Sequence, residues 1–337
     1  MAVGCDFDSH PLPSTLPLPP HPTVPVKIRT FQTGDDAIQA GLFNVAAFNL
    51  PGFKAATAED VRRRTRARGF DPGTRFYAEE GPLVVGYCSL EPEQGRISFP
   101  WCRKGYEEAA PLLLEAALNK ARERKTTKVF AAYRQDWSPV LDFFTQHGFT
   151  NRRDIINYWA DPLDLPTLVN RSRLPINRMT REDIPALAAM GKGILRLPEE
   201  KLEAYFFANP HFVSEAFLVL RGKDGATPLA IGVGLEQSNF ADVRKVDPLA
   251  PCYRLAAFGT EGLNTKRVNG MFSYLVAEAS QALTAGLALL SEASQEMTEG
   301  TVHGVAAQCP SDVPHLVNFY NRYFKEQGRF PELEKSL

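Results

Sequence analysis

Residues 111–144 are echoed without a gap 176 positions later by residues 287–320, so this chain is restricted to folds that are built twice. In both segments an amphipathic stretch leads through a polar break to an apolar strand pattern, a polar turn and an aromatic helix. Leu113 falls on Leu289, Ala117 on Ala293, Val129 on Val305, Asp136 on Asp312 and Phe143 on Phe319. A pattern held at a fixed offset is harder to reach by chance than a short motif.

The offset changes along the chain. Ile28 matches Ile176 and Gly86 matches Gly232, about 30 positions short of the later register, which places an insertion at 237–266 in the second copy. Its strand-like centre reads as an extra hairpin arm beside the fourth strand. At 337 residues with 44% hydrophobic content, each copy can bury its own core. The expected division is a proline-rich disordered arm at 1–25, a first domain at 26–161, a linker at 162–173 and a second domain at 174–337.

Within the first copy, β-branched and aromatic runs predict strands at 26–31, 74–80, 83–91, 95–101, 128–133 and 154–160. Helices are expected at 35–48, 107–124 and 138–146. The second copy restarts near residue 175, with a helix opening around Pro185 and strands at 215–222 and 228–236. The predicted class is α/β (α+β): two tandem domains, each a mixed central sheet flanked by helices.

Several functions are disfavoured. Thirty-eight Lys and Arg against 39 Asp and Glu leave no bulk field for nucleic acid or an acidic membrane. No apolar run approaches the roughly 20 residues that span a bilayer, and the amino terminus lacks the pattern of a signal peptide. The five cysteines, Cys5, Cys88, Cys102, Cys252 and Cys309, are odd in number and lack CxxC spacing, so neither disulfides nor a metal site are expected. A reducing cytoplasm is the expected location. The arginine run at 62–64 reads as a solvated helix face.

The order β, α, two or three strands, α, β, α, β resembles the GNAT superfamily of acyl-CoA N-acyltransferases, here in tandem as in mycothiol synthases. The resemblance implies an acyl-CoA cosubstrate, with acetyl-CoA the expected one, and an amine acceptor of small-molecule or peptide type. In that family a [QR]-x-x-G-x-[GA] loop holds the coenzyme A pyrophosphate on backbone N–H groups at a helix start. Two stretches compete for this role in the second copy. Arg267, Val268, Asn269 and Gly270 match the first four positions, but the helix they would open is twice the length of its counterpart. The repeat register favours Gln281, Ala282, Leu283, Thr284, Ala285 and Gly286, following the strand that carries Leu275 and Val276. Thr284 there departs from the family's glycine.

In the first copy the matching positions are Gly105, Glu108 and Ala110, with Glu107 alongside, so acidic groups stand where a pyrophosphate would lie. The second copy is therefore the expected acyl-CoA domain and the first a degenerate partner. The family's acid, a tyrosine after the fifth strand that protonates the leaving thiolate, maps onto Tyr320, whereas the first copy has Phe144. Glu236 and Asp312 are the candidate bases. Cys309, near His303 and His315, reads as a buried inert thiol. The alternative to an N-acyltransferase is a non-catalytic acyl-CoA-binding or interaction protein, since both loops depart from the family pattern.

Overall fold

The computed structural model describes residues 25–66, 69–92, 94–166, 174–195, 199–207, 214–236, 270–298, 302 and 304–337. Nearly all of the proline-rich arm, most of the linker and the insertion at 237–266 lie outside these residues. The first half runs β1 (Lys27–Thr30), α1 (Asp35–Ala47), α2 (Ala58–Thr65), β2 (Arg75–Glu80), β3 (Leu83–Glu91), β4 (Arg96–Ile97), β5 (Trp101–Cys102), α3 (Ala109–Glu123), β6 (Lys128–Ala132), α4 (Ser138–Gln146) and β7 (Thr150–Ala160). The second runs β8 (Ile176–Arg178), α5 (Ile184–Met190), α6 (Glu199–Phe207), β9 (Phe217–Arg221), β10 (Pro228–Glu236), β11 (Gly270–Val276), α7 (Ala282–Thr298), β12 (Val305–Pro310), α8 (Pro314–Tyr323) and β13 (Lys325–Ser336).

Alternating side chains explain why the second half is covered on both faces of its sheet. Leu218, Leu220, Phe272 and Tyr274 pack toward α7 and α8. Val219, Ile231, Met271 and Leu275 pack toward α5 and α6. The first half has one large core in which Leu113 and Leu114 of α3 meet Tyr77, Val85 and Tyr87. The repeat is visible at atomic scale. A Cβ on Gly86 would stand 3.0 Å from Leu113, and one on Gly232 would stand 3.1 Å from Leu289, so each glycine lets the matching leucine approach its sheet.

The last strand of each half pairs with the other half. Among the described residues the strand order is β1-β2-β3-β4-β6-β13-β7-β12-β11-β10-β9-β8, with β5 paired to β3. β13, from the second half, lies between β6 and β7 of the first. β7, from the first half, pairs with β12 of the second. The halves thus exchange their final strands across a β7–β13 seam, an arrangement that sequence spacing does not reveal.

One sequence expectation is corrected here. The strand expected at 95–101 is broken into β4 and β5. Against β3, Ile97 faces Leu90 but Cys102 faces Gly86, one residue out of step, so 98–100 form a bulge. In the second half β11 pairs with β10 without a break from Gly270 to Val276. Gly270 and Phe272 lie in that strand, which agrees with the repeat register and not with a helix opening at Gly270.

Candidate functional site

In each half two parallel strands separate toward their carboxyl ends and leave an opening between them. β11 and β12 are paired only at Gly270 with Val305 and Met271 with Ala306. β4 and β6 are paired only at Arg96 with Phe130. Backbone donors line such an opening. Gly270 N–H donates to Gly304 on the β12 side of β11, and Ala277 N–H donates to Leu229 on the β10 side. Strand alternation therefore aims the Tyr274 and Val276 N–H groups into the splay.

In the first half this opening is filled. The Phe99 amide donates to the Tyr133 hydroxyl at 2.6 Å, and the rings of Phe99, Trp101, Trp137, Phe143 and Phe144 pack around that bond. At the helix beyond it, the Gly105 amide donates to both carboxylate oxygens of Glu107, at 2.9 and 3.1 Å. A side-chain anion thus occupies the amide nest that an external anion would need.

In the second half the residues 176 positions on are smaller. Leu275 replaces Phe99, Ala277 replaces Trp101, Cys309 replaces Tyr133 and Val313 replaces Trp137. A cleft of about 340 Å³ opens there, with Leu275, Val276, Val313 and Leu316 on its apolar side. Its polar side carries Arg152, Arg153, Lys192, Asp312 and His315. Arg152 and Arg153 come from β7, so the first half's exchanged strand completes the second half's cleft. Sequence reasoning missed these two and Lys192, because no local motif joins them to residues 275–316.

The sequence candidates divide between the cleft and its surroundings. Leu275 and Val276 line it. Asp312 also lines it, and accepts from Arg153 at 3.4 Å. Gln281 through Gly286 do not form a loop. Gln281 closes a 3-10 turn at Ala279–Gln281, and Ala282, Leu283, Thr284, Ala285 and Gly286 are the first five residues of α7. Gln281 N–H is spent on Glu278 and Ala282 N–H on Ala279, so the amides that open this end are those of Ala279 and Ser280. Ala285 and Gly286 are buried in the second turn. Glu236 pairs with Gly270 at the closed end of the β11–β12 ladder. Val276 lies six residues along β11, about 20 Å away, so Glu236 is not brought together with the cleft.

Tyr320 is fully buried on α8, stacked on Tyr158 with ring centroids 5.4 Å apart. Its hydroxyl makes no hydrogen bond, and the groups that approach it are Ser273 and the Tyr274 backbone. Burial holds its pKa well above the usual 10. Tyr320 therefore sits at the splay, beside the Tyr274 amide, but beneath the cleft surface. His315 has its pKa lowered by burial, so its imidazole is neutral at pH 7. Cys309 is buried and its thiol is pushed up to about 12, consistent with an inert side chain. Among the described residues no cluster of three or more His, Cys, Asp or Glu is placed to hold a metal, and no helix is long and apolar enough to cross a membrane.

Gly286 shows how tightly the helix seats over this region. A Cβ there would meet the Tyr274 ring at 2.6 Å and the Phe319 ring at 2.8 Å. Overpacking of about 1–3 kcal/mol outweighs the roughly 1 kcal/mol that alanine gains in a helix. Gly286→Ala is therefore expected to lower stability in urea denaturation by about 1 kcal/mol, and by no more than about 2. Equal or higher stability would mean that the two rings move aside freely.

Comparison with solved structures places this architecture. The chain superposes on a GCN5-related N-acetyltransferase from Sphaerobacter thermophilus with a TM-score of 0.64 at 16% identity, covering 93% of this chain and 97% of that one. A tandem GNAT protein from the clavulanic acid biosynthesis pathway aligns with a TM-score of 0.53 at 15% identity, covering 93% and 98%. A GCN5-related N-acetyltransferase from Kribbella flavida aligns with a TM-score of 0.52 at 13% identity, covering 93% and 72%. No family model and no curated protein sequence matches the chain. At these identities the likeness is one of fold, and the fold is that of a tandem GNAT protein.

Proposed function

From the tandem GNAT fold, we propose that this chain is an acyl-CoA-dependent N-acyltransferase, with acetyl-CoA the leading cosubstrate and a primary amine the acceptor. The chemistry is assigned to the second half. The observation that carries this assignment is the contrast between the two splays: aromatic rings and the Tyr133 hydroxyl close one, while a cleft with apolar and cationic walls opens at the other.

Acyl-CoA would supply the acyl group activated as a thioester. The Val276 N–H, aimed into the splay, would stabilise the carbonyl oxygen as it gains charge during attack, and the Tyr274 N–H lies two residues deeper, about 7 Å along the strand. His315, neutral and on the cleft wall, is a better placed base for the ammonium of the acceptor than Glu236, with Asp312 the alternative on the same wall. Tyr320 is the acid that would protonate the departing thiolate, provided the acyl end enters as deep as Tyr274. Ala279 and Ser280 offer amides to the pyrophosphate at the start of the 3-10 turn.

Substitution across the repeat tests the assignment. Val313→Trp places in the open cleft the ring that Trp137 places in the closed one, and Val313 is partly exposed, so folding should tolerate it. Acetyl-CoA affinity measured by calorimetry is expected to fall about tenfold or more, roughly 1.4 kcal/mol. Gln135→Trp, in a separate cleft of about 450 Å³ that Arg134, Asp136, Gln327 and Arg329 line beside β6 and β13, should leave it unchanged. The reverse ranking would transfer the site to the first half.

The base predicts a pH dependence. A histidine whose pKa is lowered by burial stays neutral to a lower pH than a free one, so kcat/KM should fall only as pH drops below about 6.5. Burial is the cause of the lowering, and Arg152, Arg153, Lys192 and Asp312 line the same cleft. His315→Gln should remove this acid limb and lower the plateau, and a limb that persists would reassign the base to Asp312.

A second reading has one observation in its favour: the Tyr320 hydroxyl is sealed from the cleft. Acyl-CoA binding without transfer to any amine would support a binding protein instead.

A further inference from the structure

We propose that the amine acceptor is of amino-acid size and carries a carboxylate, held in the second-half cleft by Arg152, Arg153 and Lys192. The proposal rests on the transferase reading and deepens it. Adjacent strand residues normally point to opposite faces, yet Arg152 and Arg153 both line this cleft. A bulge explains this. Against β13, Glu332 faces Arg153 while Leu333 faces Asn151, which leaves Arg152 as the extra residue. The bulge turns two consecutive guanidinium groups toward one opening.

Arg153 is only 6% exposed. Its Nη1 donates to the Gly193 carbonyl at 2.8 Å and to Asp312 at 3.4 Å, but its buried Nε makes no hydrogen bond, with Glu332 at 3.5 Å. A buried cation is costly unless paired; Arg153 is paired on its Nε side by the buried Glu332, so it holds the floor and the Gly193 loop in place while Arg152 and Lys192 supply the charge that an incoming carboxylate meets. Arg153 also anchors, through Gly193, the loop that presents Lys192. Lys192 is exposed and pairs with no carboxylate among the described residues.

Charge sets the class of ligand. Arg152, Arg153 and Lys128 face Asp312, Glu332 and Glu334 across these contacts, three charges against three, and Lys192 adds one positive charge. One residual charge matches a single carboxylate better than the diphosphate of coenzyme A, for which the amides of Ala279 and Ser280 are available. The cleft, about 340 Å³, lies at the small end of ligand pockets. An acceptor bound there by its carboxylate would lie in the same cleft as His315 and the end of β11 at Val276.

The test titrates the intact chain, saturated with coenzyme A, with the common amino acids and their carboxamides by ligand-detected NMR. At least one amino acid is expected to bind about tenfold or more tightly than its carboxamide, the usual worth of a charge-assisted contact. Lys192→Ala should shrink that preference to about threefold or less while acetyl-CoA affinity stays within about twofold, and Arg152→Gln should act in the same direction. Equal binding of acid and amide, binding of no amino acid, or a loss of acetyl-CoA affinity in place of the acid would overturn the proposal. Acetyl-CoA failing to bind the unaltered chain would sink the transferase reading, which calorimetry scores separately from the acid and amide comparison.

Discussion

Removal of residues 325–337 is expected to unfold both halves of this molecule. β13 is a central strand between β6 and β7, although it belongs by sequence to the second half. Its loss would strip the partner from β6 along the Glu332 to Ser336 ladder, and leave β7 with an open edge. It would also remove Phe330 and Leu333, 1% and 4% exposed, each worth about 1.5–3 kcal/mol of burial. Arg153 would lose Glu332, and a buried charge left without its partner costs about 3–5 kcal/mol. Together these terms reach the whole stability of an ordinary domain, about 5–15 kcal/mol.

The same topology predicts how separated halves behave. Residues 26–161 expressed alone retain β7 but lack β13, and residues 174–337 alone retain β13 but lack β7. Each fragment should be insoluble or lack fixed tertiary structure, whereas co-expression should yield a one-to-one complex with the circular dichroism of the intact chain. A soluble, monomeric fragment 26–161 that unfolds cooperatively would show that the exchanged strand is dispensable to the first half.

Local order was legible in the sequence because it rests on local chemistry. The apolar runs at 83–91 and 228–236 and the helix expected at 138–146 match their elements residue for residue. The 176-residue offset located α7 because helix, strand and helix recur as a rigid unit. The exchange of β7 and β13 was not legible, since a strand's pattern states which face is buried and not which neighbour it will find. β13 is further disguised by Gly328 and Pro331, residues that argue against a central strand. Pro331 lies one residue before the β6 ladder begins at Glu332, where a missing N–H is tolerated.

The candidate site was legible in part for the same reason. Leu275, Val276 and Tyr320 share one segment of the repeat and fall around one splay. Glu236 was misleading because its distance from the cleft depends on the direction of β11, which runs back past it. Gly286 looked like a loop glycine, whereas it is demanded by the rings of Tyr274 and Phe319. Arg152 and Arg153 needed both a bulge and a strand exchange to reach the cleft, and neither leaves a motif.

Tyr320→Phe should separate chemistry from packing more sharply than any other single change. The hydroxyl is buried without a hydrogen bond, a state that costs about 1–3 kcal/mol in proteins. Removing it while keeping the ring preserves the stack on Tyr158 and the contacts with Phe319 and Phe324. The variant should therefore be as stable as the parent, or more stable by up to about 1 kcal/mol. If the hydroxyl is the proton donor to the departing thiolate, kcat should nevertheless fall by roughly 10²- to 10⁴-fold with acyl-CoA affinity nearly unchanged, because the interaction forms only as charge develops on sulfur. Higher stability joined to lower turnover is the pattern of a group kept for reaction at the expense of folding. A purely structural tyrosine cannot produce it, since loss of packing would lower stability and activity together. Unchanged turnover in a folded Tyr320→Phe variant would leave this residue as core, and would move the thiolate's proton source to solvent entering through the cleft.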